Sequence, residues 1–330
     1  MTGFDYSIIR PYPIEEHPLC VQNYLIPTVP ISLAWELLDK VMRRRVGGFV
    51  IWGHLRIGKS SCIKYLQIAA KTKYKGLFTA RIECESKTYI SERDFFIAIC
   101  EDLGLPTGGT ASQCRRRAVR KMIELGKRNI KQLFVLFVDE AQKWLDIQME
   151  WICETYNELE DHNVRLITVL VGQAQLTAVR ESLIERRQGV IVTRFMNYVI
   201  PFRGISSPSE LQDVLNTYDT LTDSLPDWPF TRFFFPIAYA SGFRLETYAQ
   251  LIWDGFIAVY ELDGRFSDYW LPMKQVTLVI ETMFQEYYSL DAVDFVITEE
   301  LIETLVGEAQ FSLYLEFLHH EVEGEANAKR

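Results

Sequence analysis

Gly53-His54-Leu55-Arg56-Ile57-Gly58-Lys59-Ser60 is the stretch on which the reading of this chain turns. Its spacing, a glycine, four residues and then Gly-Lys-Ser, is that of a phosphate loop. The flanks agree with the letters. The apolar run Gly48-Phe49-Val50-Ile51-Trp52 before it predicts a buried parallel strand. Ser61-Cys62-Ile63-Lys64-Tyr65-Leu66-Gln67-Ile68-Ala69-Ala70 after it predicts a helix. Strand, glycine loop and helix together suit a nucleoside triphosphate. Gly53 and Gly58 let the backbone curl and aim successive N–H groups at phosphate oxygens. The helix start, with Ser60 and Ser61, adds partial positive charge. Lys59 would reach the β- and γ-phosphates of ATP, and the Ser60 hydroxyl would ligate Mg²⁺.

A second run supports the first. Leu133-Phe134-Val135-Leu136-Phe137-Val138-Asp139-Glu140 is a buried strand that delivers two carboxylates to its C-terminal end, where open α/β sheets bind ligands. Asp139 would hold Mg²⁺, directly or through water. Glu140 would orient and polarise the attacking water as general base. A further strand, Val164 to Gln173, ends in an amide. If the two strands are neighbours, Gln173 lies beside Glu140 and is placed to sense the γ-phosphate or position the water.

The bulk numbers leave room for this reading. At 330 residues and 48% hydrophobic content, the chain holds one large domain plus a smaller one. No run of about 18 apolar residues is present, so no membrane partner is expected. Met1-Thr2-Gly3-Phe4-Asp5-Tyr6 lacks the pattern of a secretory signal. The six cysteines form no Cys-x-x-Cys pair and read as reduced residues of a cytoplasmic protein. The five histidines have no metal-ligand spacing, which argues against zinc.

The net charge of −9 is unevenly spread. Residues 1–200 carry 28 Lys and Arg against 22 Asp and Glu, whereas residues 201–330 carry 7 against 22. The acidic half repels a polyanion, so any nucleic acid falls to the first half. Its basic helix is about Ala111 to Lys127. There Arg116, Arg117, Arg120, Lys121, Lys127 and Arg128 share one face, Glu124 is the only acid, and Ala118, Val119, Met122, Ile123 and Leu125 share the other. A solvated charged face is the ordinary reading. A face this basic in an acidic protein also fits duplex DNA, through Arg116, Arg117, Arg120 and Lys121 on phosphates. No Asn or Gln sits among these positions to read bases, so contact would be largely sequence-independent.

The remaining segments give three regions. Residues 1–30, with five prolines, read as an N-terminal arm that packs on its own body, the commoner outcome, or on a partner. Residues 31–204 read as the α/β nucleotide-binding core, with helices at Ile31–Arg45, Ser91–Leu103, Lys143–Leu159 and Ala174–Arg187, a strand at Leu77–Glu83, and a last strand at Met196–Pro201. Residues 205–330 read as an acidic helical lid and C-terminal region, with helical spacing at Ser209–Tyr218, Arg244–Tyr260, Lys274–Tyr288 and Thr298–Val306.

This order of parts resembles the AAA+ ATPases, over about residues 30–260. The resemblance implies a P-loop NTPase core, an α/β fold with a parallel sheet flanked by helices, followed by an α-helical lid. It makes Gly53–Ser60 the Walker A motif and Val135–Glu140 the Walker B. Gln173 takes the sensor-one position. Arg194 takes that of an arginine finger acting on the neighbouring subunit's nucleotide, in competition with Arg186, Arg187 and Arg203. Arg244, in Gly242-Phe243-Arg244, takes the sensor-two position of the lid. Within AAA+ proteins the chain is most similar to the transposition regulators of the TnsC and TniB kind, with MuB and IstB more distant. Asp139-Glu140-Ala141-Gln142, Leu170-Val171-Gly172-Gln173, Thr193-Arg194-Phe195 and the helix closing in Leu103-Gly104-Leu105-Pro106 carry that similarity. It implies an ATP- and Mg²⁺-dependent homo-oligomer, ring or filament, on duplex DNA, linking a target-selector protein to a transposase. Residues 261–330 have no counterpart.

Three other functions share some of these features. A replication initiator or helicase loader has the same core but usually adds a helix-turn-helix domain. A nucleotide-dependent signalling switch that ignores DNA normally carries repeat arrays, and this chain has none. A small-molecule phosphotransferase needs an Arg-rich lid over the phosphates. DNA-stimulated ATP turnover separates the first from the rest.

Overall fold

The computed structural model describes residues 9–84, 91–222 and 227–328, with side chains to residue 322. Residues 1–8, which hold the N-terminal stretch that lacks a secretory pattern, lie outside them. In chain order the elements of the first part are α1 (Val29–Arg44), β1 (Gly48–Trp52), α2 (Lys59–Lys73), β2 (Phe78–Glu83), α3 (Glu92–Asp102), α4 (Ala111–Gly126) and β3 (Leu133–Asp139). Then come α5 (Asp146–Asp161), β4 (Arg165–Gly172), α6 (Gln175–Glu185), α7 (Gly189–Phe195) and β5 (Tyr198–Pro201).

The five strands make one parallel sheet in the order β2-β3-β4-β1-β5. Their sequences explain their places. β3 is buried at every position and β4 at all but Arg165, as expected of strands covered on both faces. β2 and β5 lie at the edges and are only partly buried. Register brings the functional ends together: Trp52 pairs with Gly172, Val138 with Leu170, and Glu83 with Asp139. The phosphate loop, the Asp-Glu pair and Gln173 thus leave the sheet on its C-terminal edge.

Local chemistry sets the helix boundaries. Ser91 caps α3 by accepting from Asp94 N. Thr110 and Gln113 form a reciprocal capping box on α4, which satisfies two orphan N–H groups. The apolar face of α4 (Cys114, Ala118, Val119, Met122 and Leu125) is buried in the core of this unit. One expectation is corrected. Thr193-Arg194-Phe195 closes a helix, α7, and the last strand is shorter than Met196–Pro201, covering Tyr198–Pro201.

The chain forms two compact units, residues 31–55 with 59–202, and residues 9–30 and 56–58 with 203–330. The second is helical: α8 (Pro208–Thr220), α9 (Phe230–Phe234), α10 (Pro236–Ala240), α11 (Ala249–Asp263), α12 (Met273–Glu286), α13 (Glu299–Glu308) and α14 (Phe311–Ala328). Two acids hold it at helix starts. Asp219 accepts from Leu245 N and Glu246 N at 3.0 and 2.9 Å, and Asp291 from Ile237 N and Ala238 N at 2.9 and 2.8 Å.

The arm packs into this helical unit. Leu19 and Ile26 are buried in its core, a gain of about 1.5–3 kcal/mol per side chain. His17 is 1% exposed and packs against Phe230, Phe233 and Phe234. Arg10 donates to the carbonyls of Phe233 and Phe234 at 2.8 and 2.9 Å. Tyr24 donates to the buried Glu281 at 2.7 Å, and Gln22 donates to the same carboxylate at 3.2 Å. Among the described residues, no helix is long and apolar enough to cross a membrane.

Candidate functional site

β1 ends at Trp52, and the loop that follows bends back on itself. Gly58 has φ +102°, a conformation that a side chain would strain. α2 then starts at Lys59. The Lys59 side chain is buried, and its ammonium donates to the carbonyls of Gly53 and His54 at 2.7 and 2.6 Å. Gly53 N is tied to Gly172 O at 3.1 Å, which fixes the loop to the tip of β4. Ser60 and Ser61 occupy the exposed first turn of α2.

The Ser60 hydroxyl donates to Asp139 Oδ2 at 3.2 Å. Two hard oxygens side by side at a phosphate loop fit Mg²⁺, which takes one or two protein ligands and completes its shell with phosphate and water. Among the described residues there is no cluster of three or more His, Cys, Asp or Glu that would form an all-protein metal cage. The spacing of the sequence did not reveal a third member. Arg81, on β2, reaches the same Asp139 Oδ2 at 2.6 Å. Burial pushes the thiols of Cys62 and Cys84 up, which leaves them protonated packing groups.

Glu140 follows with φ +55° and ψ +37°, a left-handed turn that is costly for a non-glycine residue. Its Oε2 accepts from Gln173 Nε2 at 3.2 Å and from Gln142 Nε2 at 2.8 Å. Gln142 also takes the Gln173 N–H on its Oε1 at 3.1 Å. One amide side chain thus bridges the tips of β3 and β4. It lies so close to Gly172 that a Cβ there would meet Gln142 Oε1 at 2.4 Å. Gln142 closes the run Asp139-Glu140-Ala141-Gln142, but only the strand order gives it this place.

The arginines at the ends of α6, α7 and β5 differ in availability. Arg194 donates to Asn157 Oδ1 at 2.7 Å and lies 5.0 Å from the centre of the Tyr156 ring. Arg186 pairs with Asp146, and Arg203 with Glu210. Arg187 is exposed and has φ +61°. Arg244 belongs to the helical unit, where its guanidinium donates to the carbonyls of Tyr239 and Phe243 and stacks 3.6 Å from the Tyr239 ring centre.

The basic side of α4 borders an open groove of about 620 Å³ containing Arg116, Arg117, Arg120 and Lys121. Its members are not equivalent. Arg117 donates to the carbonyls of Pro106 and Gly108. Lys121 and Arg128 both pair with Glu124. Arg116 and Arg120 are exposed, and among the described residues neither makes an ion pair. Arg115, one residue away, is structural and pairs with Glu92, Glu154 and Glu158.

Phosphate loop, Asp-Glu strand end, neighbouring amide and strand order together define a P-loop nucleotide-binding fold of the AAA+ type, with a helical C-terminal region. Residues 43–179 match the family described as the AAA domain. Among solved structures the chain is similar to the Aeropyrum pernix ORC2 protein. In its ADPNP-ADP complexes the TM-score is 0.59 at 14% identity, over 89% of this chain and 72% of that one. For the ADP form the TM-score is 0.54 at 14% identity, over 87% and 71%. Identity this low is a likeness of fold. No curated protein matches the chain by sequence. The family match reaches the AAA domain and does not single out the transposition regulators.

Proposed function

We propose that this protein is an ATPase that binds duplex DNA in an ATP-dependent way, assembles on it as a homo-oligomer and uses ATP hydrolysis to disassemble. The observation that supports the ATPase part is the convergence of Lys59, Ser60, Asp139, Glu140 and Gln173 at one sheet edge; the DNA and assembly parts rest on the basic face of α4 and the sequence resemblance. Lys59 would exchange its loop carbonyls for the β- and γ-phosphates. Gly53, Gly58 and Ser61 would present backbone N–H groups to them. Ser60 and Asp139 would hold Mg²⁺, which when bound neutralises phosphate charge. Glu140 would take a proton from the attacking water, held in register by the amides of Gln142 and Gln173. Arg194 would act on the nucleotide of a neighbouring subunit, with the exposed Arg187 as its competitor, and Arg244 would serve as the lid arginine.

The basic face of α4, chiefly Arg116 and Arg120 and then Arg117 and Lys121, would follow the phosphate backbone without reading bases. The role as a link between a target-selector protein and a transposase rests on the sequence resemblance to transposition regulators. The replication initiators are the alternative, sharing the same core. Electron microscopy of the protein with duplex DNA and a slowly hydrolysed ATP analogue tests the common part. Rings or filaments that require both ligands are expected. Monomers that bind nucleotide and ignore DNA would favour a signalling switch instead.

A further inference from the structure

We infer that Arg81 is a built-in competitor of the divalent cation at Asp139, setting how much Mg²⁺ the nucleotide site requires. This inference rests on the proposed role of Asp139 and Ser60 as cation ligands. Arg81 sits on the edge strand β2, two strand positions before the Glu83–Asp139 register pair. Its guanidinium reaches along the strand to Asp139 Oδ2 at 2.6 Å, the oxygen to which Ser60 donates. The Asp139 side chain is only 4% exposed and its Oδ1 accepts from Glu140 N at 3.0 Å, so Oδ2 has few alternatives to Arg81 and Ser60. Removing the partner of a buried charge costs more than an exposed pair would suggest. Magnesium ligation at Oδ2 therefore has to displace a hydrogen-bonded, charge-assisted partner.

The displaced side chain has somewhere to go. Glu83 lies two residues on along the same face of β2 and is exposed. The Asp102 carboxylate already accepts Arg81 N at 3.0 Å. On this inference the guanidinium has a second position, toward Glu83 and Asp102, besides the one it holds on Asp139, and the metal selects between them. A pair closed about nine-tenths of the time would lower the apparent affinity for the metal about tenfold. While closed, Arg81 also offsets the Asp139 charge that would otherwise repel a metal-free nucleotide.

The test titrates MgCl₂ at fixed protein and a fluorescent ATP analogue, reading nucleotide fluorescence in wild type, Arg81→Gln, Arg81→Lys and Lys59→Ala. Melting temperature against MgCl₂ alone is the second readout. Arg81→Gln is expected to reach half-saturation at about tenfold lower Mg²⁺ and to gain more melting temperature from Mg²⁺ than wild type does. Binding of the analogue in EDTA should fall. Arg81→Lys, which keeps a charge but lacks the planar fork, should lie between and serves if the glutamine variant does not fold. An unchanged Mg²⁺ midpoint with a uniformly lower melting temperature would make Arg81 a structural residue and overturn the inference. That outcome leaves the nucleotide site standing if Lys59→Ala abolishes binding. Wild type that binds no analogue at any Mg²⁺ would instead overturn the nucleotide reading itself.

Discussion

Replacing Arg116 and Arg120 together with alanine probes the basic face where it is most available. Arg117 is committed to the Pro106 and Gly108 carbonyls, and Lys121 and Arg128 to Glu124. Arg116 and Arg120 are exposed on the same groove. Each phosphate neutralised contributes about 0.9 to the slope of log affinity against log salt. Losing two contacts should flatten that slope by about 1.8. Between about 50 and 200 mM salt, the affinity lost by the double variant should then be about twelvefold smaller than that lost by wild type. Fluorescence anisotropy of a labelled duplex, with a slowly hydrolysed ATP analogue present, measures it. Glu124→Gln should act in the opposite sense, because it releases Lys121 and Arg128 from one carboxylate. If neither variant moves the slope while both still bind nucleotide, α4 is a solvated face and the DNA surface lies elsewhere.

Lys59→Ala should abolish nucleotide binding, read by calorimetry, because the phosphates lose their counter-charge; undiminished affinity would end the loop reading. Glu140→Gln should bind ATP and hold the assembled state, and normal turnover would remove Glu140 from the role of base. Gln142→Ala should lower kcat by about tenfold with little change in KM, as expected when a group that orients the base is lost; an effect on KM alone would place Gln142 in ground-state binding. Between Arg194→Ala and Arg187→Ala, the finger is the one whose loss halts turnover in the oligomer while leaving nucleotide affinity intact. The Arg203 hydrogen bonds hold the Glu210 carboxyl below its ordinary range. Its stabilising contribution is therefore full above about pH 4.3, the unfolded value, and is lost as pH falls through the lower folded value. Melting curves of Glu210→Gln should lose that part of the acid dependence.

The phosphate loop and the Asp-Glu strand were legible because each is one continuous run whose chemistry and secondary structure share the same residues. Gln173 was readable up to one condition, the adjacency of β3 and β4, which the strand order supplies. Arg81 could not be found this way. On a half-buried edge strand an arginine reads as a solvated residue, and its approach to Asp139 depends on pairing between strands 58 residues apart. The anchors of the arm were hidden for a different reason. Its prolines interrupt any period, and its anchors, Arg10, His17, Leu19, Tyr24 and Ile26, follow none. In the helical unit, the aromatic run Phe230–Phe235 meets Pro236, so that α9 and α10 are too short to show helical spacing. α14 went unread as well.

The placement of the arm changes how deletions of this protein should be interpreted. A truncated chain beginning near residue 30, on the view that an appendage is being trimmed, would strip Leu19 and Ile26 from a core and leave Glu281 without two of its donors. Loss of activity in such a truncation would report a damaged helical unit, whatever partner the arm was thought to recruit. Surgery on the exposed Ile9, Glu15, Glu16 or Val21 spares those anchors and is the better way to ask what the outer surface of the arm recognises.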